Sequence, residues 1–206
     1  MGEYRPEHFL LKAENPLAIG PYDLGCHYME HKVQQAEAMK GAKKRILEVA
    51  AQFAALTGRE YGLFEAYRME DAEIALVLIG SSAGTAKVTV DALRARGIPA
   101  GLVKIRVFRP FPAEELAQTL KNVKALAILD KAESFSAQGG PLFAEVRAAL
   151  YDLEPRPRTV GYVYGLGGRD ITPAHFASVF ARLEAIAAGA GGSIERPINH
   201  SKGCGG

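Results

Sequence analysis

Cysteine is nearly absent: the 206 residues hold only Cys26 and Cys204. Two thiols cannot supply the four ligands of a typical iron–sulfur cluster or structural zinc site. A disulfide between them is disfavoured in a chain that otherwise reads as cytosolic, so both are read as free thiols. Long hydrophobic runs are missing too, since the longest span six or seven residues and a bilayer needs roughly 20. The first residues, MGEYRPEHFLLKAENP, carry acids and prolines without an apolar core, which excludes a secretory signal. Charge of one sign is also scarce. With 25 Lys and Arg against 23 Asp and Glu, the net charge of +2 points to neither nucleic acid nor a membrane surface. His8, His27, His31, His175 and His200 lack metal-ligand spacing, and only His27 and His31 stand four apart, with no third ligand nearby. No Ser–His–Asp or Cys–His arrangement is present. Neither a metal site nor a catalytic residue is therefore assigned.

What is there suits a globular chain. Hydrophobic residues make up 48% and charged ones 23%, enough for one domain with a full core, or one domain plus an extension. Composition divides the chain into residues 1–58, 59–188 and 189–206. The first contains a Pro- and Gly-rich arm. A long helix over 28–57 follows, with apolar positions at helical spacing from Val33 onward, a candidate kink at Gly41 and Gly58 in the C-cap position. The last is a glycine-rich tail. Between them, strands alternate with helices. Ile74–Ile79, Gly101–Val107, Ala125–Asp130 and Thr159–Tyr164 read as strands buried on both faces. Pro112, the Gly139–Pro141 turn and Thr172 with Pro173 mark helix starts. The class is α/β: an open, mostly parallel sheet with helices on both faces, joined by right-handed crossovers.

Four clusters are candidate sites. The first strand stops at Gly80, and GSSAGTAK (Gly80–Lys87) invites comparison with phosphate-binding loops. It matches neither the Gly-Lys-Ser/Thr loop nor G-x-G-x-x-G. Gly80, Ser81, Ser82, Gly84, Thr85 and Lys87 remain candidates to hold an anion at a helix N-terminus or to face a partner. The plainer reading is a turn kept small for packing. After the second strand, Arg106, Phe108, Arg109 and Phe111 read as an interface, since Arg forks grip carboxylates and Arg and Phe anchor contacts. Arg169 and Asp170, in GLGGRD, join that interface set; the plainer reading is a turn whose Asp caps the next helix. Asp130, Lys131, Glu133 and Ser134 end the third strand, a usual place for catalytic carboxylates. Without a nearby histidine they read as ordinary surface polar groups.

Six segments occur in a recognisable order: GPYD with YMEHKVQQAEAMKGA (Gly20–Ala42), YRMEDAE (Tyr67–Glu73), LIGSSAGTAK (Leu78–Lys87), KIRVFRPFPAEEL (Lys104–Leu116), LDKAESF with QGGPLFAEVRAALY (Leu129–Tyr151) and YGLGGRDITP (Tyr164–Pro173). Together they resemble the C-terminal half of the alpha subunit of pyruvate:ferredoxin oxidoreductase and related 2-oxoacid:acceptor oxidoreductases, over about Asn15 to Ala187. RVFRPFP and GLGGRD look more like the pyruvate and branched-chain members than the 2-oxoglutarate ones. The resemblance implies a transketolase C-terminal-like domain in a cytoplasmic complex that converts pyruvate and CoA to acetyl-CoA, CO2 and reduced ferredoxin. Thiamine diphosphate, Mg2+ and iron–sulfur clusters would carry that chemistry outside this chain. The implied partners are the missing thiamine-binding alpha domain and the beta, gamma and delta chains, with ferredoxin reached through the complex. The end, PINHSKGCGG, departs from the family. An alternative of another class is a free-standing module using the Gly80–Thr85 turn for a nucleotide or CoA.

Overall fold

The computed structural model describes residues 3, 12–16, 20, 22–135 and 138–191. The PINHSKGCGG tail and Cys204 lie outside them. The chain divides into two units, Met1–Gly41 and Ala42–Gly206. In the first, His31 Nδ1 meets Asp23 Oδ2 at 2.7 Å. Helix α1 (Tyr28–Thr57) begins in that unit and ends in the second, without interruption at Gly41. Gly58 closes it with φ +70°, and its N–H bonds to the Ala54 carbonyl at 2.8 Å. That is the left-handed C-cap conformation glycine adopts at least cost.

The second unit holds strands β1 (Phe64–Tyr67), β2 (Ile74–Ile79), β3 (Ala100–Ile105), β4 (Ala125–Asp130) and β5 (Arg158–Val163). Its further helices are α2 (Ser82–Arg94), α3 (Ala113–Leu120), α4 (Pro141–Leu150) and α5 (Pro173–Ala187). The strands form one sheet in the order β1-β3-β2-β4-β5. β2 pairs with β3 and β4, and β4 with β5, all parallel; β1 pairs with β3 antiparallel. Sequence reading finds the four parallel strands and misses β1. Phe-Glu-Ala-Tyr is four residues long and none of them is fully buried, so no apolar run announces it.

The unbroken run in β2 follows from its central place. Ile74, Leu76 and Leu78 belong to a core with Val90 of α2 and Phe176, Phe180 and Leu183 of α5. Ala75 and Val77 point the other way, into a core with Leu116 and Leu120 of α3 and Phe143 and Val146 of α4. Alternate side chains of a strand face opposite sides, so a strand covered twice is apolar at every position. α5 opens as its sequence indicates. Thr172 is the N-cap, Pro173 stands at the first helical turn, and the Thr172 N–H bonds back to His175 Nδ1 at 3.1 Å.

Candidate functional site

From β2 the chain runs through α2 to β3 on one side, then returns through α3 to β4 on the other side of β2. The connections from β2 and β4 therefore diverge, and a crevice opens outside their carboxyl ends. A cavity of about 380 Å³ lies there, lined by Gly80, Phe108, Asp130, Lys131 and Leu142 among others. Because β2, β3, β4 and β5 run parallel, the four loops singled out in the sequence all leave from this one edge of the sheet. Gly80, at φ +91°, makes the first turn possible.

The small residues after Gly80 are used in different ways. Ser82, Ala83 and Ala86 are buried under the sheet edge, whereas Ser81 and Gly84 are exposed and Thr85 is intermediate. No side chain caps α2 and its first turn has no acid. Lys87 points away from the turn: its ammonium bonds to Glu65 of β1 and lies 4.9 Å from the centre of the Tyr67 ring. Arg106 reaches the same carboxylate at 2.8 Å and lies over Tyr61. Glu65 thereby ties the antiparallel edge strand to α2 and to the end of β3. Its pKa is lowered, first by the Lys87 hydrogen bond and further by the charges of Lys87, Arg106 and Lys104, against the cost of burial.

A depressed carboxylate stabilises the fold above its unfolded pKa and loses that contribution as pH falls through its folded value. Glu65→Gln is expected to cost about 1 kcal/mol at neutral pH, the upper range for pairs with this much solvent contact. The deficit should shrink in acid. Urea melts at neutral pH and near the carboxylate range test this, and a deficit that does not depend on pH would refute the assignment.

The Arg and Phe set divides as well. Phe108 and Phe111 meet edge to face at 6.0 Å and pack on the α3–α4 core. Arg109 lies over Phe108, donates to its carbonyl at 2.8 Å and pairs with Glu145 of α4 at 2.6 Å. Both guanidinium groups thus have carboxylates within the chain, and a partner would have to share or replace them. Arg169 and Asp170 are exposed after a short turn, Leu166–Gly168, at the carboxyl end of β5. Asp170 does not cap α5; Thr172 does, because it stands next to Pro173 with a side chain and N–H placed to close the first turn.

Asp130 is the main correction. It is not a surface group, being only 5% exposed. Its two oxygens accept the Leu142 and Phe143 N–H groups at 2.9 and 3.0 Å, so it supplies the anion for the N-terminus of α4. Burial pushes its pKa up more than the two amides hold it down, with the nearby Glu133 charge adding to the rise. The signal is not local, since the cap acts across 12 residues. Beside it, Tyr164 is buried, and burial raises its pKa more than the neighbouring Ser82 hydroxyl lowers it. Lys131 lies 5.4 Å from the centre of that ring. No group of three His, Cys, Asp or Glu side chains gathers among the described residues. No helix among them is long and apolar enough to cross a membrane.

Residues 72–176 match the family model described as pyruvate:ferredoxin oxidoreductase core domain II. Pyruvate synthase subunit PorA of Thermotoga maritima is 47% identical over 180 residues, covering 87% of this chain and 46% of that relative. The PorA subunit of Methanothermobacter thermautotrophicus is 42% identical over 182 residues, 88% of this chain and 46% of the relative. Ketoisovalerate oxidoreductase subunit VorA of Pyrococcus horikoshii is 41% identical over 169 residues, 82% of this chain and 43% of the relative. The chain thus spans about half the length of the curated relatives it matches.

Proposed function

Because the chain belongs to the pyruvate:ferredoxin oxidoreductase core domain II family, we propose that it is an assembly domain in the alpha subunit of such an oxidoreductase, with pyruvate as the 2-oxoacid. The observation that carries this reading is the family match itself. Its span, 72–176, takes in all four loops at the carboxyl edge of the sheet. The 47% identity to the pyruvate synthase subunit of Thermotoga maritima supports the choice of substrate.

In this reading the complex oxidises pyruvate with CoA to acetyl-CoA and CO2 and passes the electrons to ferredoxin. Thiamine diphosphate with Mg2+ and the iron–sulfur clusters supply that chemistry. The residues of this chain do not fit the clusters, since two cysteines cannot provide four thiolates. At the sheet edge Lys87, Arg106 and Arg109 are engaged by Glu65 and Glu145. No chemical step is therefore assigned to this chain. Its contribution is the sheet edge and a helix that carries exposed apolar side chains among its charged ones. None of the 30 residues of α1 is buried, and Val49 and Leu56 are 62% and 85% exposed. Apolar surface of that kind marks a site of association. The partners are the rest of the alpha subunit and the beta, gamma and delta chains.

The expected result is that the purified chain, given pyruvate, CoA, thiamine diphosphate, Mg2+ and ferredoxin, forms no acetyl-CoA above the blank. Recovered from its native cells, it should carry iron and acid-labile sulfide in stoichiometric company with further chains. Turnover by the chain alone, or its recovery as an iron-free monomer, would refute the reading.

A further inference from the structure

A second cavity lies away from the switch point, between α4 and the segment leading into β5. It measures about 740 Å³, within the range of small-molecule sites. Its lining includes Arg147, Arg156, Asp152, Thr159, Ala148 and Pro157. Arg45, Arg68, Arg94, Arg106 and Arg109 of this unit each face a carboxylate. Arg147 and Arg156, like Arg59, Arg96 and Arg158, pair with none among the described residues, and these two line the cavity. Arg147 is held over the Phe143 ring at 5.3 Å. Arg156 lies 5.4 Å from the centre of the Tyr151 ring and gives one N–H to the Tyr151 carbonyl at 2.7 Å. Both arginines are exposed, and these ring contacts leave further guanidinium N–H groups free to meet an anion.

We propose that this cavity binds a nucleoside phosphate, with Arg147 and Arg156 on the phosphate and Asp152 on the sugar hydroxyls. Planar guanidinium forks match phosphate oxygens two at a time. Asp152 lines the same cavity and makes no ion pair among the described residues. A carboxylate there repels a bare anion and accepts hydroxyl donors, which favours a ligand carrying both groups. Ala148 and Pro157 offer apolar wall for a base. The site is independent of the assembly role, and it does not involve the Gly80 turn.

Calorimetric titration of ADP into the full 206-residue chain tests the proposal, with pyrophosphate and adenosine run in parallel. One ADP should bind per chain, more tightly than either fragment. Arg147→Gln and Arg156→Lys should each weaken ADP by about tenfold or more, the scale of one charge-assisted contact. Arg156→Lys keeps the charge and removes the fork; unchanged thermal melting then separates lost binding from lost fold. No ADP binding would overturn the proposal, as would pyrophosphate binding as tightly as ADP. Affinity unchanged in both arginine variants but lost in Ser82→Ala would put the ligand at the α2 turn and overturn it equally.

Discussion

Asp130→Ala is expected to lose about 3 kcal/mol of unfolding free energy, combining a lost helix cap with buried amides left unpaired. The carboxylate is the sole acceptor shown for the side-chain bonds from the Leu142 and Phe143 N–H groups. Both residues are buried, with Leu142 and Phe143 each 2% exposed, so water cannot readily replace it. α4 then loses its N-terminal anchor to β4, and the core beneath Phe143 and Val146 loosens. Urea denaturation should show a lower midpoint with an unchanged slope. A loss below about 1 kcal/mol would mean that the helix recruits another acceptor.

The same residue makes a signed prediction about pH. Its folded pKa is raised, so the folded state binds more protons than the unfolded one above the ordinary aspartate range. Stability from Asp130 is therefore fully present below about pH 4 and is lost as pH rises through the folded value. The gap between the parent and Asp130→Ala should widen as pH is lowered from neutral toward that range. A gap that narrows on acidification would contradict the burial argument, because a carboxylate favoured in its charged form behaves in the opposite way.

Gly140→Ala is the second large effect, expected to exceed about 2 kcal/mol as an overpacking substitution. The backbone is not the reason, since Gly140 sits at φ −71° and ψ 169°, where any residue is comfortable. The reason is space. An added Cβ would overlap the Asp130 carboxyl group and come within 2.5 Å of its Cβ. That side chain cannot swing aside without breaking its two bonds to α4. The effect should therefore depend on Asp130. In an Asp130→Gly background, which removes the three nearest overlapping atoms, Gly140→Ala should cost less than about 1 kcal/mol. Alanine would be insufficient for this cycle because it keeps the offending Cβ. Equal costs in the two backgrounds would show that something other than Asp130 limits the site.

The parallel strands, their order along the chain and the helix starts at Pro112, Pro141 and Thr172 were legible because each rests on a local rule; the start of α2 was not, since Ser82–Thr85, read as turn, already lie in that helix. A strand covered on both faces is apolar throughout, as in Ile74–Ile79, and Thr172–Pro173 reads as a helix start whatever lies around it. β1 was not legible, because an edge strand half in solvent needs no apolar run; its pairing with β3 provides its identity. The candidate residues fared according to reach. Gly80 and Phe108 were singled out separately, and the sheet order brings them to one cavity. Lys87 and Arg106 were read as free for an anion or a partner, yet Glu65, 22 and 41 residues away, engages both. Nothing in the local pattern marks a counterion at such separation.

The sequence by itself thus determined the α/β class, the glycine that ends β2 and the family, because periodicity, turn chemistry and ordered motifs are properties of neighbours along the chain. Only the tertiary structure decided that Asp130 is a buried helix anchor, that Glu65 takes up the nearby cations, and that Arg147 and Arg156 are left without carboxylates. Charge pairing and burial depend on distance through space, and the fold sets those distances across segments that the linear order keeps apart.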